Sequence, residues 1–458
     1  MEMTPIQCQQ ARLARDTRYD GLFFTAVKTT GIYCRSICPA PAPKEKNVEY
    51  FPTAVAAANA GYRPCLRCRP DSAPGSPAWL GKNATLNRAL RLIDEGALTE
   101  QPLTHLADRL GITERYLRQL FVDEVGLSPK SYSLYQQCLL AKKLLHDTSL
   151  PVTDVAMACG FNSIRRFNDC FKQQFSLTPS QIRKQQKTTA DAGKGIVLSL
   201  AYRPTYNWAY LHKFFASRLI PGLEWLDAQS YGRTFHYDEC VGRFTATHHE
   251  EKSSFKVEIH LTDLKYLPRV IKTIRRCLDL DADSALIEQQ LQQALNCEQL
   301  GMAGIRLPGI WSPFEAGIRA ILGQQVSVKA ARNLVGRFVA FNPNNANGYC
   351  YFPAPDQVSQ FDLDLLGMPQ RRRETLWQFS AFAVNNSLDD GKSLLALPGI
   401  GPWTVDYLRM RGLSDPDIFL VSDLGVKKAL AMISEPIDDS LAAPWRSYLT
   451  LYLWSTLS

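Results

Sequence analysis

The stretch Leu397-Pro398-Gly399-Ile400-Gly401-Pro402 constrains this chain most, because it obliges two helices to meet at a tight turn. Ser393 to Leu397 is a short apolar run that Pro398 and Gly399 terminate: proline removes a hydrogen-bond donor and glycine supplies the backbone freedom of the turn. A second helix is expected to start near Pro402. With no side chains on Gly399 and Gly401, the amide N–H groups of the turn and of the new helix can approach an anion closely, and a DNA phosphate is the natural candidate. An ordinary helix-helix connection would look the same, so the flanking residues have to decide.

Those residues are Trp403 and Tyr407, four apart and hence on one helical face, and Asp423, which follows in Phe419-Leu420-Val421-Ser422-Asp423-Leu424-Gly425. With them the segment resembles the helix-hairpin-helix, Gly-Pro-Asp superfamily of DNA glycosylases, and within it the AlkA-type 3-methyladenine DNA glycosylases II. The likeness continues through Arg306-Leu307-Pro308-Gly309, Phe314-Glu315-Ala316-Gly317-Ile318-Arg319, Leu366-Gly367-Met368-Pro369 and Pro444-Trp445-Arg446-Ser447-Tyr448, and covers roughly residues 196–458. It implies Asp423 as the catalytic carboxylate, Trp403, Tyr407 and Trp454 as the walls of a base pocket, and Gly399, Gly401 and Gln325 as DNA contacts. It also allows for a monovalent cation on the hairpin carbonyls. The alternative for the three aromatics is plain core packing.

Cleaving an N-glycosidic bond passes through a sugar of oxocarbenium character, which a nearby carboxylate stabilises, or for which it orients the attacking water. A base alkylated at N3 or N7 is already a cation and leaves without being protonated, so one carboxylate suffices. Reaching it in a duplex requires extruding the nucleotide, and an electron-rich aromatic pocket attracts a cationic base. Bifunctional relatives carry a lysine where this chain has Trp403. Without that amine, strand cleavage should not accompany base release. At Gln325 the AlkA pattern has an apolar wedge; a glutamine there could hydrogen-bond the orphaned partner base instead.

The formal net charge of +8 is unevenly placed: residues 1–188 hold 25 Lys+Arg against 16 Asp+Glu, an excess of +9 that leaves −1 for the remainder. A nucleic-acid partner for the front of the chain accounts for this, as would a solvated basic surface. Twelve cysteines, with no leading apolar stretch, fit a reducing cytoplasm, and a bacterial, nucleoid-associated protein with no membrane partner is expected. Four of those cysteines form two close pairs, Cys34-x3-Cys38 and Cys65-x2-Cys68, which suit a tetrahedral Zn²⁺ site that would supply much of a small module's folding energy.

Around them, Val27-Lys28-Thr29-Thr30-Gly31-Ile32-Tyr33-Cys34 and Gly61-Tyr62-Arg63-Pro64-Cys65-Leu66-Arg67-Cys68-Arg69-Pro70 resemble the N-terminal domain of the Ada methylation-response family. The resemblance implies that Cys34 is both zinc ligand and acceptor of a methyl group from DNA methylphosphotriesters, with Lys28, Arg35, Arg63, Arg67 and Arg69 holding the DNA backbone. Four thiolates on Zn²⁺ sum to −2, and one methylation leaves −1, which would lessen repulsion from DNA. A purely structural zinc remains open on spacing alone.

Beyond a turn-rich connector, two units share a plan: Leu103 to Leu110 closed by Gly111, then a helix after Thr113; and Val152 to Cys159, a turn at Gly160-Phe161, then a further helix. Tyr116, Leu117, Leu120 and Phe121, and Ile164, Phe167, Phe171 and Phe175, are expected to face inward. The pair resembles the AraC family of transcription factors. Its outward positions include Arg115, Arg118, Arg165 and Arg166, each able to reach bases or phosphates in the major groove.

The expected fold class is multidomain and mostly α with α+β parts. It comprises a zinc module (1–71), a linker (72–82), a double helix-turn-helix domain (83–184), a second linker (185–195), an antiparallel-sheet α+β domain (196–280) and a helix-hairpin-helix glycosylase domain (281–458). Strands are expected at 196–200, 232–237, 243–247 and 254–259, with a helix at 208–219. The functional expectation is a monofunctional alkylbase DNA glycosylase joined to a methylphosphotriester-sensing activator, acting on alkylated and promoter double-stranded DNA, with RNA polymerase a further partner. The rivals are a regulator whose glycosylase-like half only binds DNA, and an enzyme whose front half merely tethers it.

Overall fold

The computed structural model describes residues 3–16, 19–20, 22–38, 40–52, 56–57, 60–65, 68, 84–94, 96–184, 195–346, 348–389, 391–433 and 437–457. The expected linker 72–82 lies outside them, as do Arg67, Arg69 and all but Gly195 of the expected linker 185–195. The chain folds into two compact units. One comprises Met1–Pro204, Glu250–Lys272 and Leu280–Ala282; the other comprises Thr205–His249, Thr273–Asp279 and Asp283–Ser458.

The first unit opens with the helix Pro5–Leu13, started by a capping box between Thr4 and Gln7. A four-stranded sheet follows, in the order Val48–Phe51, Phe24–Val27, Ile32–Arg35, Arg63–Pro64, with the last pair parallel and the others antiparallel. These strands are too short to announce themselves in the sequence. Their core is small, with Phe24, Ala26, Tyr33 and Ala57 buried and Phe51 and Tyr62 packed against them. A core of this size needs a further staple, which the cysteines provide.

The helices of the same unit follow the expected double plan. Leu103–Leu110 is closed by Gly111 and Glu114–Val125 is capped by the Thr113 hydroxyl. The long helix Pro129–Asp147 leads to Val152–Ala158 and to Ile164–Phe175, which Ser163 caps. Phe161, Phe167, Phe171 and Phe175 are buried in a chain of ring contacts at 5.1, 5.4 and 4.6 Å. Two expected inward residues are not inward: Tyr116 is 51% exposed and Ile164 36%. Tyr116 lies roughly 100° around the helix from Leu117, off the buried stripe; Ile164 opens its helix, ahead of the buried stretch. The unit also contains an antiparallel ladder of Ile196–Ala201 with Ser254–Leu261, with Leu198 opposite Val257 and Leu200 opposite Phe255, all four buried.

In the second unit the helix Trp208–Ala216 precedes an antiparallel meander, Glu224–Asp227, Ser230–Tyr237 and Cys240–His249. The first of these strands has only four residues, too few for alternation to show. From Ser284–Ala294 onward the described chain is helical, as its periodicity predicts. The core gathers Ile318, Ile321, Leu322, Phe338, Leu376 and Phe379. Gly317 is required here: a Cβ on it would lie 2.1 Å from the Phe379 ring. No helix among the described residues is long and apolar enough to cross a membrane.

Buried charge ties the meander to the helix Pro313–Gly323. Both terminal guanidinium nitrogens of Arg233 donate to Glu315, at 3.2 and 2.8 Å, and Arg319 donates to Glu315 at 2.9 Å and to Glu224 at 3.2 Å. Burial raises the Glu315 pKa, but Arg233 and Arg319 outweigh it and hold the carboxyl below its ordinary value. A group depressed in the folded state contributes stability above its unfolded value, about 4.3, which is lost as pH falls through the folded value. Glu315→Gln should therefore cost about 3–5 kcal/mol at pH 7, because Arg233 and Arg319 lose the carboxylate between them and are left with Glu224 alone. The deficit should begin to shrink as pH falls below the unfolded value of about 4.3, and vanish only below the lower folded value at which native Glu315 also becomes neutral; denaturant unfolding at several pH values measures both.

Candidate functional site

Asp423 is held from every side. It caps the helix Leu424–Met432, its Oδ1 accepting from the amides of Gly425 and Val426 at 2.8 and 3.1 Å. The same oxygen accepts from Trp454 Nε1 at 2.9 Å, while Oδ2 accepts from Trp403 Nε1 at 3.0 Å. A carboxylate, which only accepts, matches four converging donors. Trp403, Tyr407, Asp423 and Trp454 are all half-buried residues, none of them enclosed in the core.

The helix Pro402–Tyr407 stacks Trp403 on Tyr407 at 5.3 Å, as residues four apart require, and then passes into a π turn, Leu408–Gly412. Such turns displace side chains from the regular helical positions. Arg411 in that turn is 3% exposed and donates to the Tyr407 hydroxyl at 3.1 Å. Its guanidinium lies 4.6 Å from the Phe214 ring centre, and Phe214 stacks on Trp454 at 6.4 Å. The Arg218 guanidinium also lies over the Phe214 ring, 3.8 Å from its centre, and burial lowers its pKa to about 10. Phe214, Arg218 and Arg411 complete the aromatic cluster, and sequence reasoning missed all three. Arg411 could have been found from its spacing of four to Tyr407. Phe214, on the helix Trp208–Ala216, and Arg218, just past its end, lie about 190 positions earlier and carried no signal.

The hairpin itself joins Gly391–Leu395 to Pro402–Tyr407, slightly earlier than the apolar run 393–397 implied. Gly399 has φ +82°, and a Cβ there would meet Thr375 Oγ1 at 2.0 Å, whereas a Cβ on Gly401 would meet nothing within 4 Å. Gln324 Nε2 donates to the Gly399 carbonyl at 3.1 Å and to Thr404 Oγ1 at 3.2 Å, which holds the neighbouring loop against the hairpin. At that loop's tip Gln325 is exposed with φ +55°, a conformation costly for a residue with a side chain.

The four sulfurs of Cys34, Cys38, Cys65 and Cys68 lie within 4.8 Å of one another. Zinc–sulfur bonds of about 2.3 Å in a tetrahedron put sulfurs about 3.8 Å apart, so the cluster fits the ion. The donor chemistry fits too. Hydrogen bonding with Cys38, Cys65 and Cys68 drives the Cys34 thiol far above its ordinary pKa, while the bond from Cys34 draws Cys38 down to about 7. Four thiols this close cannot all ionise without a cation among them. Cys65 and Cys68 are buried; Cys34 and Cys38 are half-buried. Arg35, expected to grip DNA, is otherwise engaged: its Nε donates to Asp20 at 2.7 Å, Nη2 pairs with the other Asp20 oxygen, and Nη1 donates to the Cys68 carbonyl at 3.2 Å. This arginine is thus part of the cysteine site's frame. In the helix-turn-helix units Arg115, Arg118, Arg165 and Arg166 are all exposed, Arg118 pairing with Glu114.

Comparison with known proteins assigns these parts. Residues 7–71 match the metal binding domain of Ada, residues 106–185 a helix-turn-helix domain, and residues 197–312 the AlkA N-terminal domain. A probable bifunctional transcriptional activator/DNA repair enzyme AlkA of Mycobacterium tuberculosis is 36% identical, over 98% of this chain and 96% of its own. The chain belongs to this bifunctional activator/DNA repair family. The DNA-3-methyladenine glycosylase 2 of Escherichia coli is 29% identical over 56% of the chain and 96% of its own length. The bifunctional transcriptional activator/DNA repair enzyme AdaA of Bacillus subtilis is 30% identical over 41% of the chain and 86% of its own length. The domains fit a DNA glycosylase fused to an Ada-like regulator, and the cysteine cluster is that regulator's zinc site.

The two hairpin glycines should behave differently in this family member. Gly399→Ala should destabilise the protein by about 2–4 kcal/mol, through positive φ and the clash with Thr375. Gly401→Ala should change stability by less than about 0.5 kcal/mol. Thermal unfolding of the two variants beside wild type checks the contrast.

Proposed function

We propose that the glycosylase part releases alkylated bases such as 3-methyladenine and 7-methylguanine from duplex DNA by hydrolysis, without strand cleavage. The observation that carries this reading is the Asp423 carboxylate held between the indole N–H groups of Trp403 and Trp454. The indoles turn their edges to the carboxylate, which leaves ring faces for a base carrying positive charge. Asp423 lies where the sugar becomes cationic as the C1′–N bond breaks and the electron pair leaves with the base; water then adds at C1′ and loses a proton. With both carboxylate oxygens already accepting, stabilising that cation is favoured over activating the water. Gly399, Gly401 and Gln325 hold the DNA around the everted nucleotide, and the hairpin backbone is the place for a monovalent cation.

In the regulatory part, Cys34 is the methyl acceptor. Its sulfur attacks the methyl carbon of a DNA methylphosphotriester, an S–C bond forms as the C–O bond breaks, and the phosphodiester departs as an anion. Bound zinc would keep the sulfurs ionised at neutral pH. Half-burial of Cys34 and Cys38, against burial of Cys65 and Cys68, narrows the acceptor to the first pair, and the Ada resemblance selects Cys34. Arg115, Arg118, Arg165 and Arg166 contact promoter DNA, and RNA polymerase is the partner of the activated state. The proposed division is a zinc module at 1–71, a reader at 83–184, an α+β domain at 196–280 and a helix-hairpin-helix domain at 281–458, with linkers between.

Asp423→Asn should lower release of 7-methylguanine from alkylated duplex DNA by at least about 10²-fold. The helix cap should survive, since asparagine caps as well as aspartate. Retention of full activity would refute the assignment. For the regulator, promoter affinity at matched salt should rise after Cys34 is methylated, because one negative charge is removed from the cluster; equal binding of the two forms would count against the switch.

A further inference from the structure

The regulatory modules and the first strand of the AlkA-like region share one compact unit, and its contacts are specific. Arg203 follows the strand Ile196–Ala201 and lies in the segment that matches the AlkA N-terminal domain. It is 2% exposed, and its Nε donates to the main-chain carbonyl of Asp20 at 2.7 Å. The Asp20 carboxylate, itself buried, grips the guanidinium of Arg35. Arg35 in turn reaches the cysteine cluster twice: its amide donates to Cys68 Sγ at 3.3 Å, and Nη1 to the Cys68 carbonyl at 3.2 Å. A continuous polar chain thus runs from the AlkA-like strand to a zinc ligand.

Other contacts lie alongside it. Lys143 of the helix Pro129–Asp147 donates to the Ser199 carbonyl within that strand. Asp94 of the helix Ala84–Asp94 pairs with Lys272. The helix Val152–Ala158 packs on the turn Leu264–Tyr266. Within the zinc module, Tyr33, adjacent to Cys34, shares a buried hydroxyl–hydroxyl hydrogen bond of 2.8 Å with Tyr135 of the same long helix. Burying an arginine is costly unless its donors are met, so a tethered bead on a linker has no use for Arg203 in this place.

We propose that Arg203 makes the zinc module a seat for the AlkA-like strand, so that occupation of the four-cysteine site sets the stability of the ladder Ile196–Ala201/Ser254–Leu261. The coupling is independent of either proposed chemistry. It is thermodynamic and therefore reciprocal: whatever factor zinc gives to the ladder, the Arg203 contact gives to zinc retention.

Hydrogen exchange on the full chain, with zinc and after its removal by a chelator, tests this. Wild type should lose protection in 196–201 by about tenfold or more on zinc removal, with 313–323 unchanged as the control against global unfolding. In Arg203→Ala that protection should already be low and insensitive to chelator, and zinc should pass to a competing chelator more readily by the same factor. Lys143→Ala should weaken the same strand while leaving its zinc dependence intact, which separates the Arg203 route from simple loosening of the ladder. Zinc-insensitive protection in wild type, or an Arg203→Ala chain that keeps the wild-type zinc dependence, would overturn the proposal. Neither outcome bears on Asp423 or on base release.

Discussion

One carboxylate orders the candidate repair site. Asp423 begins a helix by accepting two of its free amides and at the same time fixes the edges of two indoles that come from elements 20 and 31 residues away. Helix start, aromatic orientation and charge placement therefore depend on a single side chain, and none of them is independent of the others. The cost of this economy is that the acid has few lone pairs left. In the role proposed for it, that arrangement suits opposing a positive charge better than taking a proton from water.

The surroundings of that acid carry more positive charge than an aromatic cage for cations would need. Arg411 and Arg218 lie against Phe214, and Arg411 also reaches Tyr407. Two of the four rings thus already face guanidinium groups, which leaves Trp403 and Trp454 as the faces on which a base carrying positive charge gains most. Buried ion pairs elsewhere in the unit, Arg233 and Arg319 with Glu315 and Glu224, have no such role and hold the meander to the helical core.

The regulatory part is governed by a different constraint, a small core beside a four-cysteine cluster that fits zinc. Four sulfurs within 4.8 Å of one another, a frame in which Arg35 and Asp20 are committed to the cluster, and a hydroxyl pair joining Tyr33 to Tyr135 bind the module both to its ion and to the helices beside it. The arginine that sequence proximity marked for DNA is consumed by this frame, because a buried aspartate 15 residues earlier claims it first. Of the exposed arginines of the helix-turn-helix units, Arg118 pairs with Glu114 on the surface of its own helix, not with a buried acid.

The sequence by itself determined the parts whose information is local. Cysteine spacing gave the metal cluster, glycine and proline the hairpin, a period of four the Trp403–Tyr407 stack, and apolar periodicity the helix-turn-helix pairs and four of the strands in 196–261. Tertiary structure alone decided what depends on residues far apart in the chain. It brought Phe214 and Arg218 to the aromatic cluster, made Asp423 a helix cap as well as the candidate acid, and turned Tyr116 and Ile164 outward. It also buried Arg203 against the zinc module. Short-range patterns record backbone geometry and one-sided burial, whereas the pairing of particular side chains over a hundred or more residues is fixed only when packing closes, and leaves no period to read.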